Sequence, residues 1–118
     1  MTWNLGFYQT PGGERPAATF VEQLPEPARA EVAALLAALR ERGNLLRPPH
    51  SKALGDGLFE LRSVKCAARV FYMLLPGRQI VLLDGIVKKR DDIPAAVLRR
   101  IRLLQTEVLA ATKREGGR

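Results

Sequence analysis

The sequence is poor in the residues that build disulfides and Cys/His metal sites. Its 118 residues include one cysteine, Cys66, and one histidine, His50. A single cysteine cannot form an internal disulfide, and one cysteine with one histidine cannot supply the ligands of a Cys/His metal site. We therefore expect no internal disulfide, no metal and no cofactor.

Long hydrophobic runs are also missing. No apolar stretch approaches the roughly 18 to 20 residues that span a bilayer, and residues 1–8 lack the basic and apolar regions of a signal peptide. We expect no membrane partner and a cytoplasmic location. Hydrophobic residues still make up 47% of the chain, enough for one core. The length predicts a single domain over residues 1–112, with a disordered tail at 113–118.

Positive charge is the first feature of the composition that bears on function. The chain has 19 Lys and Arg against 12 Asp and Glu, a formal net charge of +7. Residues 1–46 carry a net −1, residues 47–90 a net +6 and residues 91–118 a net +2. A positive field concentrated in the middle of the chain favours an anionic partner, such as nucleic acid or an acidic protein. The alternative is that the charge serves solubility alone.

Hydrophobic periodicity in the first 44 residues predicts a strand and a helical hairpin. Apolar residues alternate with others from Trp3 to Phe7, as in a strand with one buried face. Apolar residues three and four positions apart then follow Pro16 and Pro27, each of which can open a helix. Gly43 is the residue at which the second of these helices is expected to end.

The rest of the chain predicts a loop, three strands and a helix. The loop covers residues 45–57, and the final helix begins after Pro94. The strand-like segments are 58–64, 67–75 and 80–87. Their simplest arrangement is antiparallel. The predicted fold is therefore α+β, with an N-terminal strand, a helical hairpin, an antiparallel sheet of about four strands and a C-terminal helix.

Four sequence segments, in this order, resemble those of a known family. They are KALGDGLFELR at 52–62, RVFY at 69–72, IVLLDGIVKK at 80–89, and Pro94. With the predicted element order, they resemble the RelE/ParE superfamily of bacterial toxins and, within it, the HigB-type, phage-derived toxin family. This resemblance covers most of the chain.

The resemblance implies a toxin that cleaves messenger RNA on the translating ribosome. It also implies a cognate antitoxin, a HigA-like helix-turn-helix protein. RNA can be cleaved without a metal because its own 2′-hydroxyl is the nucleophile, so the protein must supply proton transfer and positive charge for the phosphate. At the matched positions, the candidate catalytic residues are Lys52, Glu60, Arg62 and Arg69. The candidate RNA-binding residues are Arg47, Tyr72, Lys88 and Lys89.

The candidate residues have different expected roles and plainer alternatives. Arg62 can contact a phosphate through two nitrogens, and Lys52 or Glu60 would take the 2′-hydroxyl proton. Arg69 would share the transition-state charge. Glu60 and the two arginines can equally form an exposed surface pair of little energetic value. Tyr72 has the alternative of a half-buried strand residue.

Two other functions fit the same sequence pattern. One is a ParE-like toxin that inhibits DNA gyrase without catalysing a reaction, because fold alone does not decide function. The other is a non-toxic protein whose basic surface binds an acidic partner. The combination of Lys52, Arg62 and Arg69 favours the endoribonuclease.

Overall fold

A computed structural model describes residues 2–88 and 92–116. In chain order, the elements are β1 (Asn4–Phe7), α1 (Pro16–Gln23), α2 (Ala28–Arg42), a short 3-10 helix (Gly43–Leu45), β2 (Ser51–Gly55), β3 (Leu58–Arg62), β4 (Ala68–Leu75), β5 (Gln79–Val87) and α3 (Ala95–Gly116). The strands form one mixed five-stranded sheet in the order β1-β5-β4-β3-β2. This arrangement confirms the predicted α+β class.

Both edges of the sheet differ from the prediction. β1 pairs in parallel with β5, with Asn4 opposite Gln79, so the sheet is not wholly antiparallel. The segment predicted to be a loop contains β2, which pairs with β3 in antiparallel orientation. The sheet therefore has five strands. β2 lacked a strand signal because its five residues, SKALG, include only one large apolar side chain.

The predicted antiparallel arrangement of β3, β4 and β5 is confirmed. In the turn after Leu75, Gly77 has a φ of 82°, which suits the residue without a side chain. α3 begins after Pro94, as predicted, but it continues to Gly116. Residues 113–116, predicted to be part of a disordered tail, are therefore helical, while the last two residues lie outside the described ranges.

The sheet separates two hydrophobic cores. One face packs against α1 and α2 through side chains that include Val32, Leu39 and Leu82. The other face packs against α3, with Phe71 and Ile101 both fully buried. Neighbouring residues of β3 and β4 alternate between the two cores, as the geometry of a strand requires. Within the described ranges, no helix is long and apolar enough to cross a membrane.

Polar contacts attach α3 to the turn between β2 and β3. Arg102 donates from Nη2 to the Leu54 carbonyl at 2.8 Å and from Nη1 to the Gly55 carbonyl at 2.9 Å. Gln105 Nε2 donates to the Asp56 carbonyl at 2.6 Å. Arg102 and Gln105 therefore help to hold the β2–β3 hairpin in place.

Gly85 allows α1 to approach β5 closely. A Cβ atom built at this position would lie 2.3 Å from Cδ2 of Phe20. Phe20 packs against the core under α1 and α2, and its ring fills the space that a side chain at residue 85 would need. The absence of a side chain is therefore a packing requirement at this point of the sheet.

We expect Gly85→Ala to lower the free energy of unfolding by about 1 to 3 kcal/mol, the usual effect of overpacking a core. Gly6→Ala is the matched control, because a Cβ there has its nearest neighbour, the Ile80 carbonyl oxygen, at 4.0 Å. We expect the control to change stability by no more than about 0.5 kcal/mol. Urea denaturation measures both variants. Equal losses would contradict the steric explanation.

Candidate functional site

A buried carboxylate lies on the α3 side of the central sheet. Glu60 of β3 shares its face with Leu58, which packs in the core under α3. Its side chain is only 1% exposed. On the adjacent strands its register partners are Lys52 of β2 and Phe71 of β4. The carboxylate therefore lies where the apolar core meets the charged end of this face.

Two guanidinium groups flank this carboxylate. Arg62 Nε lies 3.2 Å and Arg69 Nε 3.5 Å from the same oxygen, Oε1 of Glu60. The two arginines are direct register partners on β3 and β4, so their side chains share a face, which the sequence could not determine. Arg69 is 7% exposed, and its Nη1 donates to the carbonyls of Ser63 and Ala68 at 3.4 and 3.2 Å. The Arg69 guanidinium is thus fixed from two sides.

Burial raises the pKa of the Glu60 carboxyl above its ordinary value, because the charged form loses hydration. The positive charges of Arg69, Arg62, Lys52 and Lys88, in that order, act in the opposite direction without cancelling the effect. Within the part of the chain described, Glu60 Oε1 and Arg69 Nε are buried without a hydrogen-bond partner. The ion pair between Glu60 and Arg69 therefore has a short distance but lacks the geometry of a hydrogen bond.

A cleft of about 330 Å³ opens beside the two arginines. Lys88, predicted to bind RNA, contributes to its wall. The Lys88 Nζ also lies 3.8 Å from Oδ1 of Asp92. Lys89, the neighbouring candidate, lies outside the described residues. The full lining is Pro49, Arg62, Ser63, Val64, Ala67, Arg69 and Lys88.

Lys52 reaches the same face from β2. It is exposed and is paired in register with Glu60, which places the two side chains on one face of the sheet. It lies in a strand and not, as expected, in a loop. We call Lys52, Arg62, Arg69 and Lys88, grouped around Glu60, the basic cluster. The structure thus brings together all four candidate catalytic residues and one candidate RNA-binding residue.

Tyr72 does not belong to this cluster. It packs in the core under α1 and α2, on the opposite face, and is 1% exposed. Its hydroxyl is hydrogen-bonded to Ser51 Oγ at 2.7 Å, and its ring stacks on Phe59 with centroids 5.4 Å apart. Burial also raises the pKa of the Tyr72 hydroxyl. A ring so enclosed cannot stack on a base, and we remove Tyr72 from the RNA-binding set.

Arg47 lies in the loop before β2. Its carbonyl accepts hydrogen bonds from the backbone N–H groups of His50 and Ser51 at 3.2 and 3.3 Å. The residue is exposed to solvent. Its backbone thus shapes the start of β2, and its RNA-binding role stays a prediction.

Sequence reasoning missed Glu31 of α2. Its Oε1 accepts a 2.5 Å hydrogen bond from Ser63 Oγ, and its Oε2 accepts one from the Lys65 backbone N–H at 3.3 Å. These bonds tie α2 to the turn between β3 and β4, which borders the cleft. Hydrogen bonding to Glu31 also raises the pKa of the Cys66 thiol. No local signal marks Glu31, because its partners lie more than 30 residues away.

Residues 19–105 match the family model described as Phage derived protein Gp49-like (DUF891). The chain belongs to this Gp49-like family. The match includes every residue of the basic cluster, so the cluster lies within the part of the chain that the family shares. The resemblance to a phage-derived family is confirmed, while the HigB subtype stays a prediction. A comparison with curated protein sequences gave no match.

Solved structures show the fold to which this Gp49-like protein is similar. The isolated Escherichia coli RelE toxin is 15% identical, with a TM-score of 0.57 over 84% of this chain and 98% of that chain. The matched chain of the intact E. coli RelBE toxin–antitoxin complex is 14% identical, with a TM-score of 0.56 over 75% of this chain and 99% of that chain. The matched chain of the archaeal RelE–RelB complex from Pyrococcus horikoshii OT3 is 16% identical, with a TM-score of 0.54 over 76% of this chain and 99% of that chain. The Gp49-like protein therefore has a RelE-like fold.

We expect Glu60→Gln to change the pH dependence of stability. Because the folded-state pKa of Glu60 is raised, its stabilising contribution is fully present below the unfolded-state pKa and is lost as pH rises through the folded-state pKa. Glutamine does not titrate. The free energy of unfolding of the variant, relative to wild type, should therefore increase as pH rises above 4.5, the ordinary pKa of this carboxyl group, and through its folded-state pKa.

Urea denaturation of both proteins across this pH range measures the difference directly. The informative quantity is the change in the difference between the two proteins, since both share every other titrating group. A difference that stays constant, or that decreases as pH rises, would contradict the raised pKa of Glu60.

Proposed function

We propose that this protein is the toxin of a type II toxin–antitoxin system and cleaves messenger RNA on the translating ribosome. The observation that carries the proposal is the pair of arginines, Arg62 and Arg69, held 3.2 and 3.5 Å from Oε1 of Glu60 beside an open cleft. The RelE-like fold, shared with the isolated E. coli RelE toxin and with RelE in its complexes with RelB, supports the same function.

The arginine pair fits the electrostatic demand of RNA cleavage. When the 2′-hydroxyl attacks the adjacent phosphorus, negative charge accumulates on the phosphate oxygens. Guanidinium groups that are already in position stabilise this charge without reorganising during the reaction. Arg69 is buried and fixed by two carbonyls, whereas Arg62 is more exposed, with a quarter of its side chain accessible. We assign direct phosphate contact to Arg62 and support of the transition-state charge to both arginines.

Glu60 fits a positioning role better than that of the base. With 1% of the residue exposed, its carboxylate lies beneath the arginines and has little access to a 2′-hydroxyl. Its contacts instead determine where the two guanidinium groups lie. Lys52 is exposed on the same face, and we assign its amine, in the neutral form, the uptake of the 2′-hydroxyl proton. As the 2′-oxygen bonds to phosphorus, the bond from phosphorus to the 5′-oxygen breaks, and the ammonium formed on Lys52 can return the proton to that departing oxygen.

The proposed partner is a cognate antitoxin, a HigA-like helix-turn-helix protein. Two of the structural neighbours are described as complexes of RelE with RelB. A protein with a formal net charge of +7 associates fastest with a partner surface of opposite charge. We therefore propose that the antitoxin segment in contact with this chain is acidic or apolar.

We expect Arg62→Ala to reduce messenger RNA cleavage by a factor of about 10² or more, as the loss of one preorganised donor does in other enzymes. Growth arrest on expression should disappear with it. The matched control is Arg42→Ala, which removes the same charge from an exposed position at the end of α2. The control should remain toxic. RNA cleavage on translating ribosomes and growth of expressing cells are the measurements, with circular dichroism to check folding.

Full toxicity of both Arg62→Ala and Lys52→Ala, with normal RNA cleavage, would overturn the site assignment. If the wild-type protein instead inhibits DNA gyrase supercoiling and cleaves no RNA, the ParE-like alternative replaces the endoribonuclease.

Arg62→Lys distinguishes charge from geometry. Lysine keeps the charge but cannot bind a phosphate through two nitrogens, so we expect partial activity.

We expect ribosome binding to weaken steeply with salt. If the basic cluster neutralises phosphates, the logarithm of affinity falls linearly with the logarithm of salt concentration. Removal of one phosphate contact in Arg62→Ala should reduce the slope by about 1, and Arg42→Ala should leave the slope unchanged. Ribosome co-sedimentation across a salt series measures the slope. A flat profile for the wild type would argue against phosphate recognition.

A further inference from the structure

The cleft beside the basic cluster has a chemically mixed lining. Arg62, Arg69 and Lys88 contribute positive charge to it. Pro49, Val64 and Ala67, here called the apolar wall, contribute apolar surface, and Ser63 completes the lining. Val64 is 63% exposed, one of the most exposed large apolar side chains described. A ligand that fills this cleft must therefore combine an anion with an apolar group.

The apolar wall is held in place by hydrogen bonds. The Ser63 backbone N–H donates to the Ala68 carbonyl at 2.9 Å, and the Ser63 hydroxyl donates to Glu31. The Ala67 carbonyl accepts from the Lys88 backbone N–H at 2.8 Å. These bonds fix both ends of the turn that carries Val64. A preformed wall binds a ligand at little entropic cost.

The loop that carries Pro49 is fixed in a similar way. The Arg62 backbone N–H donates to the carbonyl of His50 at 2.8 Å. This bond places Pro49 one residue from a direct attachment to β3, the strand that carries Arg62. This backbone hydrogen bond therefore holds the backbone next to Pro49 close to that of Arg62.

We propose that this cleft binds a single nucleotide unit of RNA, with its phosphate on the arginines and Lys88 and its base against Pro49, Val64 and Ala67. The proposal deepens the proposed endoribonuclease function and rests on it for the identity of the polymer. A phosphate alone would leave the apolar wall and most of the roughly 330 Å³ unused. A nucleobase offers a flat face that packs on apolar side chains, whichever base it is.

The composition of the wall also limits what it can recognise. Selecting one base over another requires hydrogen bonds to the base edge. Ser63 is the one polar residue in the lining that carries no formal charge, and its hydroxyl already donates to Glu31. The cleft is therefore suited to detecting the presence of a base and poorly suited to reading its identity.

The chain offers a matched pair of valines to test this assignment. Val64 lines the cleft, whereas Val87, which is 60% exposed, does not. Val87 is paired with Ala68, which packs in the core under α1 and α2, so Val87 lies on the opposite face from the basic cluster. Both valines are exposed, so their replacement by alanine should have little effect on folding.

The experiment titrates the full chain with adenosine 5′-monophosphate and with ribose 5-phosphate, which has a hydroxyl group in place of the base, and follows binding by NMR. We expect the nucleotide to bind at least about threefold more tightly. Val64→Ala should weaken nucleotide binding by about threefold and leave ribose 5-phosphate binding unchanged. Val87→Ala should change neither, and Val64→Leu should preserve nucleotide binding.

Equal affinity of the wild type for the two ligands, or no binding of either, would overturn the proposed base site. Equal effects of Val64→Ala and Val87→Ala would also overturn it. A separate assay of RNA cleavage on translating ribosomes distinguishes this proposal from the function on which it rests. If the nucleotide binds as expected and no RNA is cleaved, the base site stands and the endoribonuclease proposal fails.

Discussion

The buried carboxylate of Glu60 determines how two arginines can lie side by side on adjacent strands. Arg62 and Arg69 are register partners, and like charges directly opposite each other destabilise a sheet. The shared contact with Oε1 of Glu60 offsets this repulsion. Conversely, a buried carboxylate without cationic partners would be strongly unfavourable. The Glu60 carboxylate therefore offsets the repulsion between the two arginines, and the arginines offset part of the cost of burying the carboxylate.

The distribution of core and charge follows from the way the helices cover the sheet. α1 and α2 cover one face with a continuous apolar core. α3 packs on the other face, where its Ile101 lies in one core with Phe71 and Leu83 of the sheet. The same face continues past these residues to Arg62 and Arg69, where the cleft opens. The strands that carry Arg62 and Arg69 are therefore the same strands whose apolar side chains pack in the core under α3, and this packing holds the backbone of both arginines in place.

Much of the fold could be predicted because its longer elements have clear hydrophobic periods. α1, α2, α3 and the three central strands were all expected from such patterns. β2 and the parallel pairing of β1 could not be predicted, because a five-residue edge strand has a weak pattern and pairing partners distant in sequence leave no local signal. At the site, sequence indicated which residues carry the charge. The register that joins Arg62 to Arg69, and the burial of Tyr72 on the other face, depend on tertiary structure.

The parallel pairing of β1 with β5 also has a consequence for the order in which the molecule can form. Residues at the start of the chain, from Asn4, pair with residues from Gln79 onward. Contacts so distant in sequence form slowly, because a long loop must close first. During synthesis, the first strand has no partner until β5 has emerged, and Lys88 follows β5 directly. The edge of β5 that receives β1 therefore stays open until this long-range contact forms, and the basic cluster is complete only once Lys88, which follows β5, is in place.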